Sequence, residues 1–369
     1  MLRARQLLAV AFLSSASSHR LVAQSQRDLA EEAGARPASP DSTKKEQLPE
    51  IAVHLGGLLQ VWYIGGNGDP ANTFRIRRAE FKLTGTLSSH VGFTLLADAA
   101  KQLTLGTSSE RIDTATALTG VSVNQNTRML LDAYVSLLPI KHIAVEVGQQ
   151  RIPFSAEGVM SATRLQTAER AQFASSRERG GTFGDVRDLG VMVRGVDIPH
   201  LDYAFAVMNG SGESQNTTDR NIEKAVMGRV VGAAGGLRIG ASGVYGGHQT
   251  LDHPRRDRVG GEAEFVQGPF TARTEYVAGA DGDVRRVGYY ELVAFRVRPW
   301  LELVQRLDSW DPDTRRGGDE ATARSLDALA GATFQLATRS RAQVNLVRRS
   351  FGGILPNETS VLVSFETAW

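Results

Sequence analysis

The length, composition and charge of the chain exclude several classes of protein. Its 369 residues, of which 41% are hydrophobic, are enough for two ordinary domains or one large barrel. It has no cysteine, so disulfides cannot stabilise it, and no apolar run after the first residues is long enough for a transmembrane helix. The formal net charge of +2 is small, and it gives no reason to expect a nucleic-acid partner.

The first 23 residues have the features of an export signal. Arg3 and Arg5 precede a short apolar core from Leu7 to Leu13, and small residues lead to a plausible cleavage site after Ala23. We therefore predict a signal peptide over residues 1–23, with a soluble amphipathic helix as the alternative. Loss of the three arginines in this segment takes the formal net charge from +2 to −1.

The rest of the chain divides into a polar linker over residues 24–50 and a long region of strands over residues 51–369. The linker is charged and contains several prolines, which is typical of a flexible connection, here in the periplasm. From Ile51 onward, apolar and polar residues alternate with a period of two, as in strands that have two different faces. The region contains about sixteen such runs, an even number that is typical of bacterial outer-membrane barrels.

The connections between these runs alternate between short and long. Short links fall at residues 88–90, 139–142, 199–200, 235–236, 269, 299 and 337–338, and long links at 65–73, 106–128, 151–186, 211–222, 249–257, 279–285, 309–324 and 351–357. Short turns at one end and longer loops at the other indicate an all-β fold, a transmembrane antiparallel β-barrel with lipid outside and water inside. A soluble antiparallel β-protein has the same alternation and is the alternative.

The stretch from Gln149 to Asp188 breaks the alternation and is rich in arginine. So long a connection without strands is unusual in a compact domain and is often functional. We predict that it folds into the lumen as a basic constriction loop. Near the start of the second strand, Arg75 and Arg77 should also point into the lumen, and a change of parity predicts a bulge near Arg78.

These arginines are the predicted site. Arginine offers rigid, bidentate donors for phosphate or carboxylate, and positive rings select anions. The alternative is that they pair with acids of the loop, such as Glu169 and Asp185, and hold it in place. The predicted constriction and anion-binding residues are Arg75, Arg77, Arg78, Arg151, Arg164, Arg170, Arg177, Arg179 and Arg187.

An ordered set of motifs between Ile51 and Gly210 resembles the phosphate-selective porin (porin O and P) family. The motifs are FRIRRAEF at residues 74–81, DAYV at 132–135, GQQRIPF at 148–154, RDLGV at 187–191, and Asn209-Gly210 after Tyr203. The resemblance implies a sixteen-stranded, usually trimeric outer-membrane channel with an inward-folded constriction loop. Phosphate-specific members line the pore with arginine ladders and lysine rings. In this chain Lys224 is the only lysine after Lys141, so arginines would have to replace a lysine ring.

We therefore expect a passive porin in the bacterial outer membrane that favours small anions such as phosphate. The expected partners are these solutes, outer-membrane lipid and lipopolysaccharide, and two further copies of the chain in a homotrimer. Acids on the polar strand faces, including Glu146 and Glu262, motivate a general, organic-acid or sugar porin as an alternative; a soluble exported β-binding protein is another. The sequence has no P-loop, hydrolase elbow, dinucleotide fingerprint or zinc pattern, so we predict no enzyme, cofactor or metal site.

Overall fold

The computed structural model describes residues 52–68, 72–101, 104–112, 115–124, 129–210, 222–246, 255–319 and 321–369. The predicted signal peptide and linker lie outside the described residues. The strands are β1 (Ala52–Gly66), β2 (Thr73–Ser88), β3 (Val91–Asp98), β4 (Thr104–Ile112), β5 (Ala115–Asn124), β6 (Leu130–Ile140), β7 (Ile143–Arg151), β8 (Arg187–Gly195), β9 (Leu201–Met208), β10 (Ala225–Ala234), β11 (Leu237–Tyr245), β12 (Arg256–Gln267), β13 (Phe270–Asp281), β14 (Val284–Arg298), β15 (Leu301–Asp311), β16 (Ser325–Ala337), β17 (Ser340–Ser350) and β18 (Glu358–Ala368).

Sixteen of these strands form one closed barrel in which each strand pairs with its neighbours in the order of the chain. Strand β1 pairs with β18 and closes the ring, and β3 pairs directly with β6. All pairs in the ring are antiparallel. Strands β4 and β5 form a separate hairpin. The predicted sixteen-stranded antiparallel barrel is confirmed.

The connections at the two ends of the barrel differ as predicted, with two exceptions. The long link predicted at residues 279–285 is wrong, because β13 and β14 are joined by only Gly282 and Asp283. Gly282 has φ 60°, and glycine at the first position is typical of one class of two-residue hairpin turn. The link predicted at 106–128 contains most of the β4–β5 hairpin, which is not part of the barrel wall. We call the two ends the turn end and the loop end.

The two faces of the barrel wall have opposite chemistry. On the outside, apolar side chains are exposed, including Phe74 (77% exposed) and Leu55 (66% exposed). On the inside, charged and polar side chains are buried, including Glu146, Asp308 and Gln343. An apolar outer belt around a polar interior is stable where lipid surrounds the barrel and water enters it.

Residues 152–186, here called the inserted segment, lie inside the barrel. Their regular elements are single turns: α-helical at Ala156–Val159 and Gln172–Ser175, and 3₁₀ at Ala162–Arg164 and Arg177–Arg179; a further 3₁₀ turn, Ala99–Lys101, follows β3. No helix within the described ranges is long and apolar enough to cross a membrane. Since such short turns are not stable alone, contacts with the wall must hold the segment.

Three phenylalanines attach the inserted segment to the wall. Phe154, Phe173 and Phe183 are at most 1% exposed. The ring of Phe173 stacks on Tyr290 of β14 at a centroid distance of 6.1 Å, and the ring of Phe183 meets Trp310 of β15 edge-on at 5.3 Å. Burying one such side chain stabilises a fold by about 1.5–3 kcal/mol. The segment therefore has its own apolar core against β14 and β15.

Polar side chains of the wall bind the backbone of the inserted segment. Glu275 of β13 accepts hydrogen bonds from the amides of Ala156 (2.9 Å) and Glu157 (3.2 Å). Asp308 of β15 accepts one from the amide of Gln172 (2.9 Å). These carboxylates satisfy amides at the starts of the two α-helical turns, which no intrahelical partner can reach. Most of these bonds to the backbone of the inserted segment come from the side of the barrel between β13 and β17, where Asn345 accepts a further amide bond.

Gly288 of β14 permits the close contact of Phe173 with the wall. A Cβ atom at this position would lie 2.8 Å from the Cβ of Phe173 and 2.9 Å from the Cε3 of Trp310. Gly288→Val should therefore displace Phe173, at a cost of about 1–3 kcal/mol, and raise hydrogen–deuterium exchange within residues 152–186. Gly261→Val is the control, because a Cβ there meets nothing within 4 Å. Equal exchange in the two variants would contradict this packing.

Candidate functional site

A bulge in β2 brings three arginines to the lumen. Gln60 of β1 is paired with Arg78 and Val61 with Ile76, so Arg77 is an extra residue without a partner in register. The predicted bulge near Arg78 is confirmed. Because a bulge changes the alternation of side chains, Arg75, Arg77 and Arg78 all reach the same cavity.

The lumen contains a cavity of about 950 Å³ on the side that the inserted segment leaves open. It is bounded by β1–β3, β6–β10 and the inserted segment. Its lining extends from Asp197 and Trp369 at the turn end to Lys101 at the loop end. Ten arginines and two lysines line it against eight carboxylates, an excess of four positive formal charges. The cavity is thus a positively charged path along one wall of the barrel.

Eight of the nine predicted arginines line this cavity, and their role in selectivity stays a prediction. They are Arg75, Arg77, Arg78, Arg151, Arg164, Arg170, Arg177 and Arg187. Arg179 lies elsewhere: it donates to the Ser325 hydroxyl (2.8 Å) and the Ala323 carbonyl, and it covers the ring of Phe351 at 5.5 Å. The prediction missed Arg194 and Arg229, which also line the cavity.

Arg77 connects the β2 wall to the inserted segment. Its Nε and Nη2 both donate to Oε2 of Glu169, at 3.1 and 3.0 Å. Burial acts to raise the pKa of Glu169, but the guanidiniums of Arg77 and Arg78 outweigh it and lower this pKa to about 2. The carboxylate therefore stays ionised at neutral pH, and its stabilising contribution is lost progressively as the pH falls from about 4.5 to about 2. Arg77 both lines the cavity and holds the segment.

Asp185, at the end of the inserted segment, is the centre of a second cluster. Its carboxylate lies 2.6 Å from Nη1 of Arg187, 3.3 Å from Nε of Arg151 and 3.7 Å from Nε of Arg170. Burial acts to raise the pKa of Asp185, but these arginines hold it well below its usual range. One carboxylate thus orients three arginines of the cavity wall.

Arg75 differs from the arginines of these clusters. Its side chain is exposed, and its guanidinium lies 5.8 Å above the ring of Trp62. In the described part of the chain, no carboxylate lies within ion-pair distance of it. The guanidinium of Arg77 covers the same indole at 5.1 Å, so two positive charges share one ring. The charge of Arg75 is therefore directed at the solution in the cavity.

Lys101 makes the charge of the cavity depend on pH. Burial lowers the pKa of this lysine to about 8, although Asp185 favours its charged form. Because the ammonium is charged below that pKa and neutral above it, anion preference should fall as the pH rises from 7 to 9. Lys101→Met should abolish this change, and Lys101→Arg should keep the preference high at pH 9. Reversal potentials at both pH values test this, and an unchanged pH step in Lys101→Met would contradict it.

The barrel with its charged lumen is the architecture of an outer-membrane porin. The sequence profile of the phosphate-selective porin O and P family matches residues 62–221, so the resemblance seen in the motifs is confirmed over this range. The family match and the fold are those of a channel of the bacterial outer membrane, and the soluble alternative is set aside. A comparison with curated proteins finds no relative of significant similarity.

Solved structures share the fold at low sequence identity. An OmpF from Salmonella typhi, in complex with daunomycin, superposes with a TM-score of 0.59 at 10% identity, over 87% of this chain and 98% of the other. OmpT from Vibrio cholerae in a trimer form superposes with a TM-score of 0.53 at 9% identity, over 86% of this chain and 99% of the other. A mutant porin from Rh. blastica superposes with a TM-score of 0.52 at 12% identity, over 87% of this chain and 100% of the other. At such identities these structures support the barrel fold alone.

Proposed function

We infer that this protein is a passive porin that favours small anions, phosphate among them, with the arginine-lined cavity as its filter. The observation that carries the proposal is the excess of guanidinium groups along the cavity. A positive path between low-dielectric walls concentrates anions and repels cations. The carboxylates of Glu169 and Asp185 keep several arginines in place, while Arg75 offers an accessible donor.

Reversal potentials in a KCl gradient test this proposal. Purified protein in planar bilayers should give a reversal potential with the same sign as the chloride equilibrium potential. Added phosphate should reduce the chloride current. Positive rings that bind an anion weakly allow it to leave again, so the block should be partial and reversible. A reversal potential of the sign set by potassium would contradict the proposal.

A second candidate is a porin for organic acids, and the apolar part of the cavity lining favours it. Leu58, Leu96 and Met192 line the same cavity as the arginines, and its volume of about 950 Å³ exceeds the need of an inorganic ion. A carboxylate with an apolar body would contact both kinds of side chain. Stronger block of chloride current by such an acid than by phosphate or sulfate would favour this candidate.

The proposal implies three partners besides the solute. Outer-membrane lipid would contact the exposed apolar belt, and lipopolysaccharide would surround the loop end. A homotrimer is the proposed assembly, supported by the family resemblance and by the trimer form of the Vibrio cholerae relative in fold. The mass of the protein in a mild detergent, corrected for bound detergent, tests the trimer; a monomeric mass would contradict it.

A further inference from the structure

The Asp185 cluster contains more donors than one carboxylate can satisfy. Three arginines converge on the two oxygens of Asp185. The Nε atoms of Arg151 and Arg170 are buried and make no hydrogen bond within the described residues, although each lies near the carboxylate. Nη2 of Arg78, which lines the same cavity, is also buried and makes no hydrogen bond within the described residues. Buried guanidinium donors without an acceptor are costly, so the cluster has unused capacity for an anion.

We propose that Asp185 is a built-in anion that occupies this latent oxyanion site and keeps the channel from binding phosphate tightly. The inference rests on the proposed function, because it assumes that anions pass along this cavity. A planar carboxylate offers two oxygens, whereas phosphate offers four in a tetrahedron and would reach donors that Asp185 leaves open. Since release requires weak binding, a resident carboxylate among three arginines favours passage over retention.

The backbone at Asp185 allows a clean test. Its φ is 55°, in the left-handed region that asparagine tolerates at least as well as aspartate and that glycine adopts freely. Asp185→Asn therefore removes the negative charge with little change of shape. Asp185→Gly removes the whole carboxylate at a position where glycine is unstrained.

Asp197 provides a matched control. It lines the same cavity, at the turn end, and its φ of 52° is nearly equal to that of Asp185. Within the described residues it has no ion pair with an arginine of the cluster. Asp197→Asn therefore makes the same change of charge, in the same backbone conformation and the same cavity, away from the cluster.

The measurement is the concentration of inorganic phosphate that blocks half of the chloride current in planar bilayers. We expect Asp185→Asn and Asp185→Gly to lower this half-blocking concentration by about ten-fold or more. In each variant, bound phosphate would accept charge-assisted hydrogen bonds from the arginines of the cluster. The half-blocking concentration of Asp197→Asn should stay within about two-fold of that of the natural protein, because salt screens the effect of a distant charge on bound phosphate. Correct assembly is checked by heat-modifiable migration on gels.

Three outcomes would overturn the inference. One is an unchanged half-blocking concentration in both Asp185 variants, and another is an equal shift in Asp197→Asn. The third is failure of both Asp185 variants to assemble, which would assign the carboxylate a purely structural role. Failure of the proposed function is distinguishable, because it would appear as cation preference in the natural protein, whatever the variants do.

Discussion

Phe173→Ala should release the inserted segment from the barrel wall and raise both the mean conductance and the current noise of single channels. The Phe173 side chain is fully buried and stacks on Tyr290. Truncation of a buried phenylalanine costs about 3–5 kcal/mol, and the short turns of the segment cannot supply that stability themselves. The freed segment would sample the cavity and the space beside β14, so the current would fluctuate.

Phe205→Ala is the control for this variant, because Phe205 lies on the outer face of β9 and is 52% exposed. It makes the same change of side chain against lipid, and it should leave conductance unchanged. Hydrogen–deuterium exchange should rise within residues 152–186 in Phe173→Ala alone. Normal exchange and conductance in Phe173→Ala would show that polar contacts alone hold the segment.

Arg75→Glu should produce the largest loss of anion preference of any single substitution in the cavity. The guanidinium of Arg75 lies over an aromatic ring, and within the described residues no carboxylate lies within ion-pair distance of it. Reversing its charge changes the energy of a passing ion at about 6 Å by about 1.4 kcal/mol in a water-like medium, which is about ten-fold in the permeability of that ion. Because the change has opposite signs for chloride and potassium, their permeability ratio should fall by up to about hundred-fold. The reversal potential in a KCl gradient measures this ratio.

Arg316→Glu is the matched control for the change of charge. Its side chain is 79% exposed and lies in the connection between β15 and β16, outside the cavity lining. We expect its permeability ratio to stay close to that of the natural protein because salt screens exposed charges at such a distance. Equal effects of the two substitutions would indicate a general surface potential instead of a local filter.

The barrel was predictable because each strand carries its own signal. Alternation marks the two faces of a strand, and the change of parity at residues 76–79 was enough to predict the bulge that turns Arg77 into the lumen. The turn at Gly282 and Asp283 was missed because the alternation weakens where strands leave the membrane region, which made the link look longer than it is.

The lining of the cavity was less predictable from the sequence. A side chain must point into the lumen to line the cavity, but the inserted segment covers some of the side chains that do. Arg229 and Arg306 both face the lumen, yet Arg229 lines the cavity while Arg306 is covered by the inserted segment and donates to the hydroxyl of Thr167 at 2.9 Å. Which wall the segment covers depends on contacts between residues far apart in sequence, such as Gln172 with Asp308. A pattern within single strands contains no information about those contacts.

Cysteine accessibility tests most directly whether solutes follow the β1–β3 and β6–β10 side of the lumen through a positive field. The chain has no cysteine, so each introduced thiol is unique. Ala204 of β9 lines the cavity, and Ala294 of β14 is 1% exposed in the core beneath the inserted segment. In Ala204→Cys, an anionic thiosulfonate should reduce the current faster than a cationic one, and Ala294→Cys should not react. Comparable reaction of Ala294→Cys, or faster reaction of Ala204→Cys with the cationic reagent, would contradict the account.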